Sequence, residues 1–501
     1  MDALDAFGKL SCQHLINGRI VAAEGSRVHA VIDPATEATI GEVADATIAE
    51  INVAVEVAVA AHKRWRKVNY LKRAELLHEA ARRMRQNSAL VGEMLTREMG
   101  KPYQESVSEV SYAATATDYF AEIARHEAGR VLGPIADGQM HFTTKDPLGV
   151  VVVVLPFNFP LVLLCYQMAA ALACGNAVII KPSEITTLTT LKFVEAFSEF
   201  PPGLLQVVGG GGEVGRALVE HEHTDMIAFT GSIGAGRTIA ETCARLFKRS
   251  LIETSGNDPF IVMPSAPIDI AARGAAFAAY INCGQVCTSA ERFYVHEKVY
   301  GEFTERLADH ARRMRIGNGL GPVDMGPMAT QRELNRYLSL LETTKAEGVR
   351  VVAGGNRPAD LKRGWFADAT VLADVAPDAG IMNMESFGPV APVCAVSSFE
   401  AAIQLANRSK YALGATVYTA DLNEAFRAVE EIESGMVWIN APLFDNDAGP
   451  FGGRKLSGMG RQLGAEGLDT FRHTKFTVID PAAKPHEWWF PYSLSHSRSA
   501  T

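Results

Sequence analysis

The residues best suited to chemistry are a pair of thiols and one carboxylate. Cys283 and Cys287 stand in Asn282-Cys283-Gly284-Gln285-Val286-Cys287-Thr288. A thiol in such a segment serves either as a nucleophile or as a small buried hydrophobe. A metal pair would need more Cys or His close by. The only dense histidine cluster is His221-Glu222-His223, so no metal is expected. Glu253 follows apolar residues and precedes small ones in Leu251-Ile252-Glu253-Thr254-Ser255-Gly256. A carboxylate embedded in that way acquires a raised pKa and can act as a general base, or it is a buried structural group.

Two glycine-bearing segments could hold an anion. Gly210, Gly212 and Gly215 spell Gly-x-Gly-x-x-Gly after the apolar run ending at Val208. They lie inside the run Gly209 to Gly212, where several registers match by composition alone, and no acidic residue follows at the expected strand end. The stronger candidate is Phe229-Thr230-Gly231-Ser232-Ile233-Gly234-Ala235-Gly236-Arg237, after a short apolar strand and opening a helix. There Gly231 admits close backbone approach, Ser232 offers a hydroxyl, and the helix N-terminus presents free N–H groups; an ordinary strand-to-helix turn is the alternative.

The elements that must position these groups follow from hydrophobic rhythm. From about Thr47 to Glu98 apolar residues recur at helical spacing, with Arg and Lys on the other face. Val150 to Leu155, Ala177 to Ile180, Leu205 to Val208 and Met226 to Phe229 are then short apolar runs separated by helix-like stretches. Strands apolar on both faces that alternate with helices predict a parallel sheet covered on each side. A second such series has candidate strands at Phe260 to Met263, Phe293 to His296, Ala415 to Tyr418 and Met436 to Asn440. Leu148 to Leu172 is long and apolar, but Pro156, Asn158 and Pro160 break it, so it reads as a buried strand, a turn and a helix rather than a membrane span. Thr470 to Asp480 alternates as an extended strand, and the stretch after it carries Trp488, Trp489, Phe490 and Tyr492 among Pro and Ser.

Length and composition bound the rest. A chain of 501 residues has room for about three domains, and two α/β domains are the economical reading. With 48% hydrophobic and 21% charged residues it falls outside the disordered, collagen-like and coiled-coil classes. The net charge of −9, with no long run of Lys or Arg, argues against nucleic acid or anionic membrane as a partner. Seven cysteines are an odd, sparse set, which predicts a reducing compartment. The start, Met1-Asp2-Ala3-Leu4-Asp5, lacks the basic and apolar regions of a signal peptide, so the cytoplasm is the expected location.

Taken together, the motifs resemble those of the aldehyde dehydrogenase superfamily. They are, in order, Pro156-Phe157-Asn158-Phe159-Pro160, Lys181-Pro182-Ser183-Glu184, Phe229-Thr230-Gly231-Ser232, Glu253, Gly284-Gln285-Val286-Cys287, Glu385-Ser386-Phe387-Gly388-Pro389 and Pro450-Phe451-Gly452-Gly453-Arg454-Lys455. The separation of Glu253 from Cys287 is similar to the family's base-to-nucleophile spacing. Weaker echoes run from Asn17-Gly18 through Glu98-Met99-Gly100-Lys101-Pro102 to Gly458-Met459-Gly460-Arg461, so only the tail after about Asp480 falls outside the resemblance.

The resemblance implies an α/β fold of two Rossmann-like parallel-sheet domains plus a small β oligomerisation element. Residues 1–124 and 147–255 would form the cofactor-binding domain, 256–469 the catalytic domain, 125–146 and 470–485 the oligomerisation strands, and 486–501 a C-terminal tail. It implies Cys287 as the thiolate that attacks the aldehyde carbon, Asn158 with the Cys287 N–H as the oxyanion site, and Glu253 as the base that activates water against the thioester. Phe157, Lys181, Ser183, Glu184, Gly231, Ser232, Glu385 and Phe387 would hold NAD, with NADP as the alternative cofactor. Phe159, Val162, Leu163, Tyr166, Val286, Thr288, Asp445 and Phe451 would line the aldehyde pocket. A homodimer or homotetramer is implied, with the aromatic tail packed on a partner subunit.

This chain departs from the family pattern at three places. The common Glu-Leu-Gly-Gly-Lys run is Glu253-Thr254-Ser255-Gly256-Asn257, Gln167 stands where many members carry Lys, and Phe157 replaces a frequent Trp. None removes a catalytic group. An acylating enzyme that uses coenzyme A is disfavoured by Glu253, and a thiol esterase without hydride transfer by Lys181, Glu184 and Phe387. Loss of Cys287 or Glu253 would mark a crystallin-like protein, and both are present. For the substrate, Asp445 would place a carboxylate at the outer tunnel, and a buried carboxylate needs a cation or donor from protein or substrate. The expectation is therefore a polar aldehyde bearing an amino or hydroxyl group, against semialdehydes and aromatic or long aliphatic aldehydes.

Overall fold

The computed structural model describes residues 2–486 and 488–492. Its centre is two mostly parallel sheets, each built around the runs that are apolar on both faces. The first has eight strands in the order Gly458–Met459, Arg249–Glu253, Met226–Thr230, Val150–Val154, Ala177–Lys181, Leu205–Val207, Gln13–Ile16, Arg19–Ala22. The middle five are parallel, and Val150–Val154 and Ala177–Lys181 are buried along their whole length. Valine-rich strands covered by helices on each face give this pattern. Chain order reverses beside Val150–Val154, whose neighbours are Ala177–Lys181 and the later Met226–Thr230. The crevice at the carboxyl ends of such strands is where ligands of open α/β sheets sit.

The second sheet has seven strands, in the order Arg350–Ala353, Thr370–Ala373, Val390–Val396, Ala290–His296, Asp258–Val262, Thr416–Tyr418, Trp438–Ile439. Only Arg350–Ala353 runs antiparallel. The expected strand at Met436 to Asn440 is cut to Trp438–Ile439, because Asn440 turns left-handed at φ 58°. The outer strands Arg19–Ala22 and Gly458–Met459, and Gln13–Ile16 next to the first of them, were not expected; Gly458–Met459 closes the other end of the sheet. That strand belongs to the 256–469 stretch yet pairs with Arg249–Glu253 in the first sheet. Phe451, Leu463, Leu468 and Phe471 likewise pack into the first core.

Helices begin and end where local chemistry directs. Thr47 and Glu50 form a capping box at Ile48–Trp65, and Gly100 closes Tyr70–Met99 in the left-handed region at φ 95°. Pro160 opens the buried helix Pro160–Cys174, as a residue without an N–H can. Outside both sheets, Arg472–Ile479, Met140–Pro147 and Val131–Leu132 form a three-stranded antiparallel sheet, the hairpin and late strand expected for assembly. Among the described residues no helix is long and apolar enough to cross a membrane. Trp488, Trp489, Phe490 and Tyr492 are exposed, while residue 487 and residues 493–501 of the expected tail lie outside the described residues.

Candidate active site

The crevice between the two sheets holds a cleft of about 390 Å³. Each expected group reaches it from the end of a strand. Phe157 and Asn158 follow Val150–Val154, Gly231 and Ser232 follow Met226–Thr230, and Glu253 ends Arg249–Glu253. Cys287 enters from the second sheet on the loop before Ala290–His296, and Glu385 and Phe387 precede Val390–Val396.

The nucleophile loop is held in a costly conformation. Asn282 and Cys283 sit left-handed at φ 52° and 56°, and Gly284 follows at φ 71°. Such geometry persists only where surrounding contacts over-determine it. A Cβ on Gly284 would lie 2.2 Å from the Gly388 carbonyl, and one on Gly256 only 1.9 Å from the Cys287 carbonyl. Both glycines are therefore required by close backbone approach, and Gly256 ties the Glu253 segment to the nucleophile.

Asn158 is buried, and its Nδ2 donates to the Gln285 carbonyl at 3.0 Å. A carboxamide nitrogen carries two hydrogens, so a second donor is left over. The backbone N–H of Cys287 donates to no acceptor among the described residues. Glu253 is buried and neither of its oxygens has a hydrogen-bond partner. Burial pushes its carboxyl up to about 8, against which the nearby Thr230 hydroxyl and Cys287 thiol act only weakly. The Cys287 thiol is pushed well above its usual range by burial and then by the Glu253 and Asp258 carboxyls. Behind Glu253, Thr230 Oγ1 accepts from Gln167 Nε2 at 2.9 Å and Gln462 Nε2 at 3.3 Å.

The other end of the cleft suits a dinucleotide. Ser232 caps helix Ile233–Arg245, and a Cβ on Gly234 in its first turn would meet nothing within 4 Å, so the helix N-terminus opens on free space. The Phe157 and Phe387 rings lie edge to face, 6.1 Å apart. Burial, joined by the Glu291 carboxylate, pushes Glu385 up to about 8. Lys181 is buried, and its Nζ is 3.8 Å from the half-buried Glu184. The Gly210 to Gly215 segment is engaged elsewhere: Gly209 N–H donates to His14 and Gly211 N–H to Asp45.

Of the expected residues, Phe157, Asn158, Gly231, Ser232, Glu253, Cys287, Glu385 and Phe387 line this cleft, and Lys181, Ser183 and Glu184 do not. The Ser183 hydroxyl accepts from the Ile185 N–H, a local turn contact. The expected pocket residues also lie outside that lining. Val162 and Leu163 are buried on Pro160–Cys174, Val286 and Thr288 are buried beside Cys287, and Phe159 lies under the Lys101 ammonium. The Tyr166 and Phe451 rings are 6.1 Å apart, and Tyr166 feels both Asp445 and Cys287. Asp445 is exposed, and among the described residues no cation pairs with it. The protein around it and then the neighbouring Asp447 raise its carboxyl to about 6.

Four contributors were not expected from the sequence. Arg332, Glu333 and Arg336 line the cleft from the polar face of Gln331–Ala346, which reads in sequence as a solvated helix. Arg336 donates to the Ser386 carbonyl at 2.7 Å. Buried Glu291 accepts from the Ser386 and Phe387 N–H groups at 2.8 Å each, and so holds Phe387 at φ 45°.

Comparison with known proteins agrees with this geometry. The model of the aldehyde dehydrogenase family matches residues 20–477. The chain is 36% identical over 465 residues to retinaldehyde dehydrogenase 3 of Rattus norvegicus, covering 91% of this chain and 90% of that one. It is 35% identical over 473 residues to the peroxisomal aminoaldehyde dehydrogenase 1 of Malus domestica, covering 92% and 94%. Its fold superposes with a TM-score of 0.93 on betaine aldehyde dehydrogenase of Staphylococcus aureus in complex with NAD+, at 29% identity over 97% of this chain and 98% of that one.

A crevice at the switch point of one parallel sheet suits a bound nucleotide, and a loop from the second sheet brings a thiol nucleophile to it. The chain belongs to the aldehyde dehydrogenase family.

Proposed function

We propose that the protein oxidises a small polar aldehyde to its carboxylic acid with NAD as the acceptor. The observation that carries this reading is the convergence of the Cys287 thiol, the Glu253 carboxyl and the Asn158 amide at one cleft. Cys287 gives its proton to solvent and adds as the thiolate to the aldehyde carbon, giving a thiohemiacetal that becomes a thioester once its carbon-bound hydrogen has left as hydride. Its oxygen gains negative charge beside the second Asn158 N–H and the Cys287 N–H, donors worth about 3 kcal/mol apiece in comparable sites. The cofactor, when bound, supplies the acceptor for hydride. Glu253 then takes a proton from water as that water attacks the thioester, and Cys287 is released. Ser232 and the helix N-terminus behind it suit the pyrophosphate, Phe387 and Glu385 the nicotinamide side with its ribose hydroxyls, and Lys181 with Glu184 the adenosine ribose.

The substrate class rests on Asp445 and Asp447. Two unpaired carboxylates on the approach to Tyr166 and Phe451 favour a cationic or hydroxylated aldehyde. The named relatives act on aldehydes as different as retinaldehyde and aminoaldehydes, so similarity alone does not choose between them. Initial rates over aliphatic, aromatic, ω-amino and acid-semialdehyde substrates, with each cofactor, test the reading. The highest kcat/KM should fall on an ω-amino or hydroxy aldehyde with NAD, and a best substrate among long alkyl aldehydes would overturn the substrate class.

We place the enzyme in the cytoplasm as a homodimer or homotetramer. All seven cysteines are free thiols, which supports a reducing compartment. Exposed Met140, Phe476, Val478 and Ile479 on the three-stranded sheet support association through that sheet.

A further inference from the structure

A buried ion pair lies behind the cleft, outside the groups that the reaction uses. Lys101 and Glu109 are 1% and 2% exposed, and Lys101 Nζ donates to Glu109 Oε2 at 2.6 Å. The same ammonium donates to the Asn158 carbonyl at 2.6 Å and lies 3.8 Å over the Phe159 ring. The other Glu109 oxygen accepts from the N–H groups of Leu161 at 2.8 Å and Val162 at 3.3 Å, the first turn of Pro160–Cys174. Asn282 closes the circuit: its Nδ2 donates to the Asn158 carbonyl and to the Gln285 carbonyl, each at 3.1 Å, and its N–H donates to Glu105 at 3.0 Å.

A buried ion pair is weak evidence of stabilisation, since apolar residues of similar volume often serve a fold as well. Here every bond of the pair ends on the backbone that carries Asn158, or on the helix that starts just after it. Three fixed points thereby define the Asn158 side chain: its own carbonyl on Lys101, the following helix turn on Glu109, and its amide on Gln285. With one amide hydrogen committed to Gln285, the direction of the other is set.

We infer that Lys101 and Glu109 are positioning residues for the oxyanion, holding Asn158 so that its free N–H meets the charge developing on the substrate. This rests on the role proposed for Asn158 above. Displacements near 1 Å at a reacting centre cost about 10²-fold in rate.

The test is a double-mutant cycle on the full-length enzyme, read by the pre-steady-state burst of reduced cofactor with NAD and a short aliphatic aldehyde. Lys101→Met with Glu109→Gln removes both charges of the pair together, and Glu105, which also feels Lys101, keeps the Asn282 N–H as its donor. The burst rate should fall about 10- to 100-fold, while NAD affinity and the rate of Cys287 alkylation by iodoacetamide, which needs no oxyanion site, stay within about twofold. In an Asn158→Ala background the same pair of changes should cost less than about threefold more. An unchanged burst, an equal loss in both backgrounds, or a parallel loss of NAD affinity and alkylation would overturn the inference. Glu109→Gln alone, which keeps an acceptor for Leu161, is read in the same way should the double variant not fold; its smaller loss should also vanish in Asn158→Ala. If Asn158→Ala by itself leaves the burst intact, the Asn158 reading fails first and this inference falls with it.

Discussion

At the scale of single residues, Glu253 separates chemistry from scaffolding. Its carboxyl is held up to about 8 by burial, so at neutral pH it carries a proton and cannot yet take one from water. Steady-state turnover limited by thioester hydrolysis should therefore rise as pH climbs through about 8 and then level off. A pH–rate profile checks this, and Glu253→Gln should abolish the rise. Cys287→Ala should end dehydrogenase turnover with NAD affinity intact, whereas Cys283→Ala, which removes a fully buried thiol outside the cleft, should keep appreciable activity. Equal loss in both would remove Cys287 from its role. Asp445→Asn should lower kcat/KM for an ω-aminoaldehyde by about threefold to tenfold relative to an aliphatic aldehyde of equal length, the scale of one partly screened charge contact. An unchanged ratio would mean that this carboxylate does not select the substrate.

At the scale of elements, the site depends on loops held by groups far away in sequence. Glu291 and Arg336 grip the segment Glu385-Ser386-Phe387 from a strand and a helix. Glu291→Gln keeps the shape but replaces one of its two acceptor oxygens by an NH2 donor, so two of its four accepted bonds are lost, and it should raise KM for NAD about tenfold while the rate at saturating NAD changes little. A fall in the saturated rate with KM unchanged would place the loop in the chemistry instead. These supports also show what was legible in the sequence. Cys287, Glu253 and the Ser232 turn stood out by residue type in short local segments, and the resemblance to the family supplied Asn158 and the roles. Lys101, Glu109, Asn282 and Asn158 are joined only by contacts across the fold, which no local periodicity encodes. Arg336 was hidden for a different reason, since an amphipathic helix reads as charged toward water whether or not its polar face lines a cleft. The parallel cores were readable from runs apolar on both faces. Gln13–Ile16, inside the sheet, and Arg19–Ala22, at its edge and mostly exposed, are four residues each, too short for alternation to stand out.

At the scale of the whole molecule, several buried carboxyls govern stability together. Glu98, Glu253 and Glu385 are raised to about 8 and Asp258 to about 7, all by burial. Between about pH 4.5 and 8 the folded protein keeps protons that the unfolded chain has released, so unfolding free energy falls as pH rises through that window. Thermal unfolding should accordingly show Tm dropping from pH 6 to pH 8.5, and a flat or rising Tm would contradict these carboxyls being buried and protonated. Association belongs to this scale too. Removing the chain after Asp480 should weaken the assembly seen by sedimentation, because it deletes the exposed Trp488, Trp489, Phe490 and Tyr492. A monomeric full-length protein, or a truncation without effect, would contradict packing of the tail on a partner.

The most direct test of the account is to quench the Glu253→Gln enzyme soon after mixing with NAD and aldehyde, then measure the mass of its peptides. One equivalent of reduced cofactor should appear in a burst, matched by an acyl group on the peptide that carries Cys287. No burst and no adduct, or an adduct on Cys283 in its place, would contradict the thioester at Cys287 on which the proposed function stands.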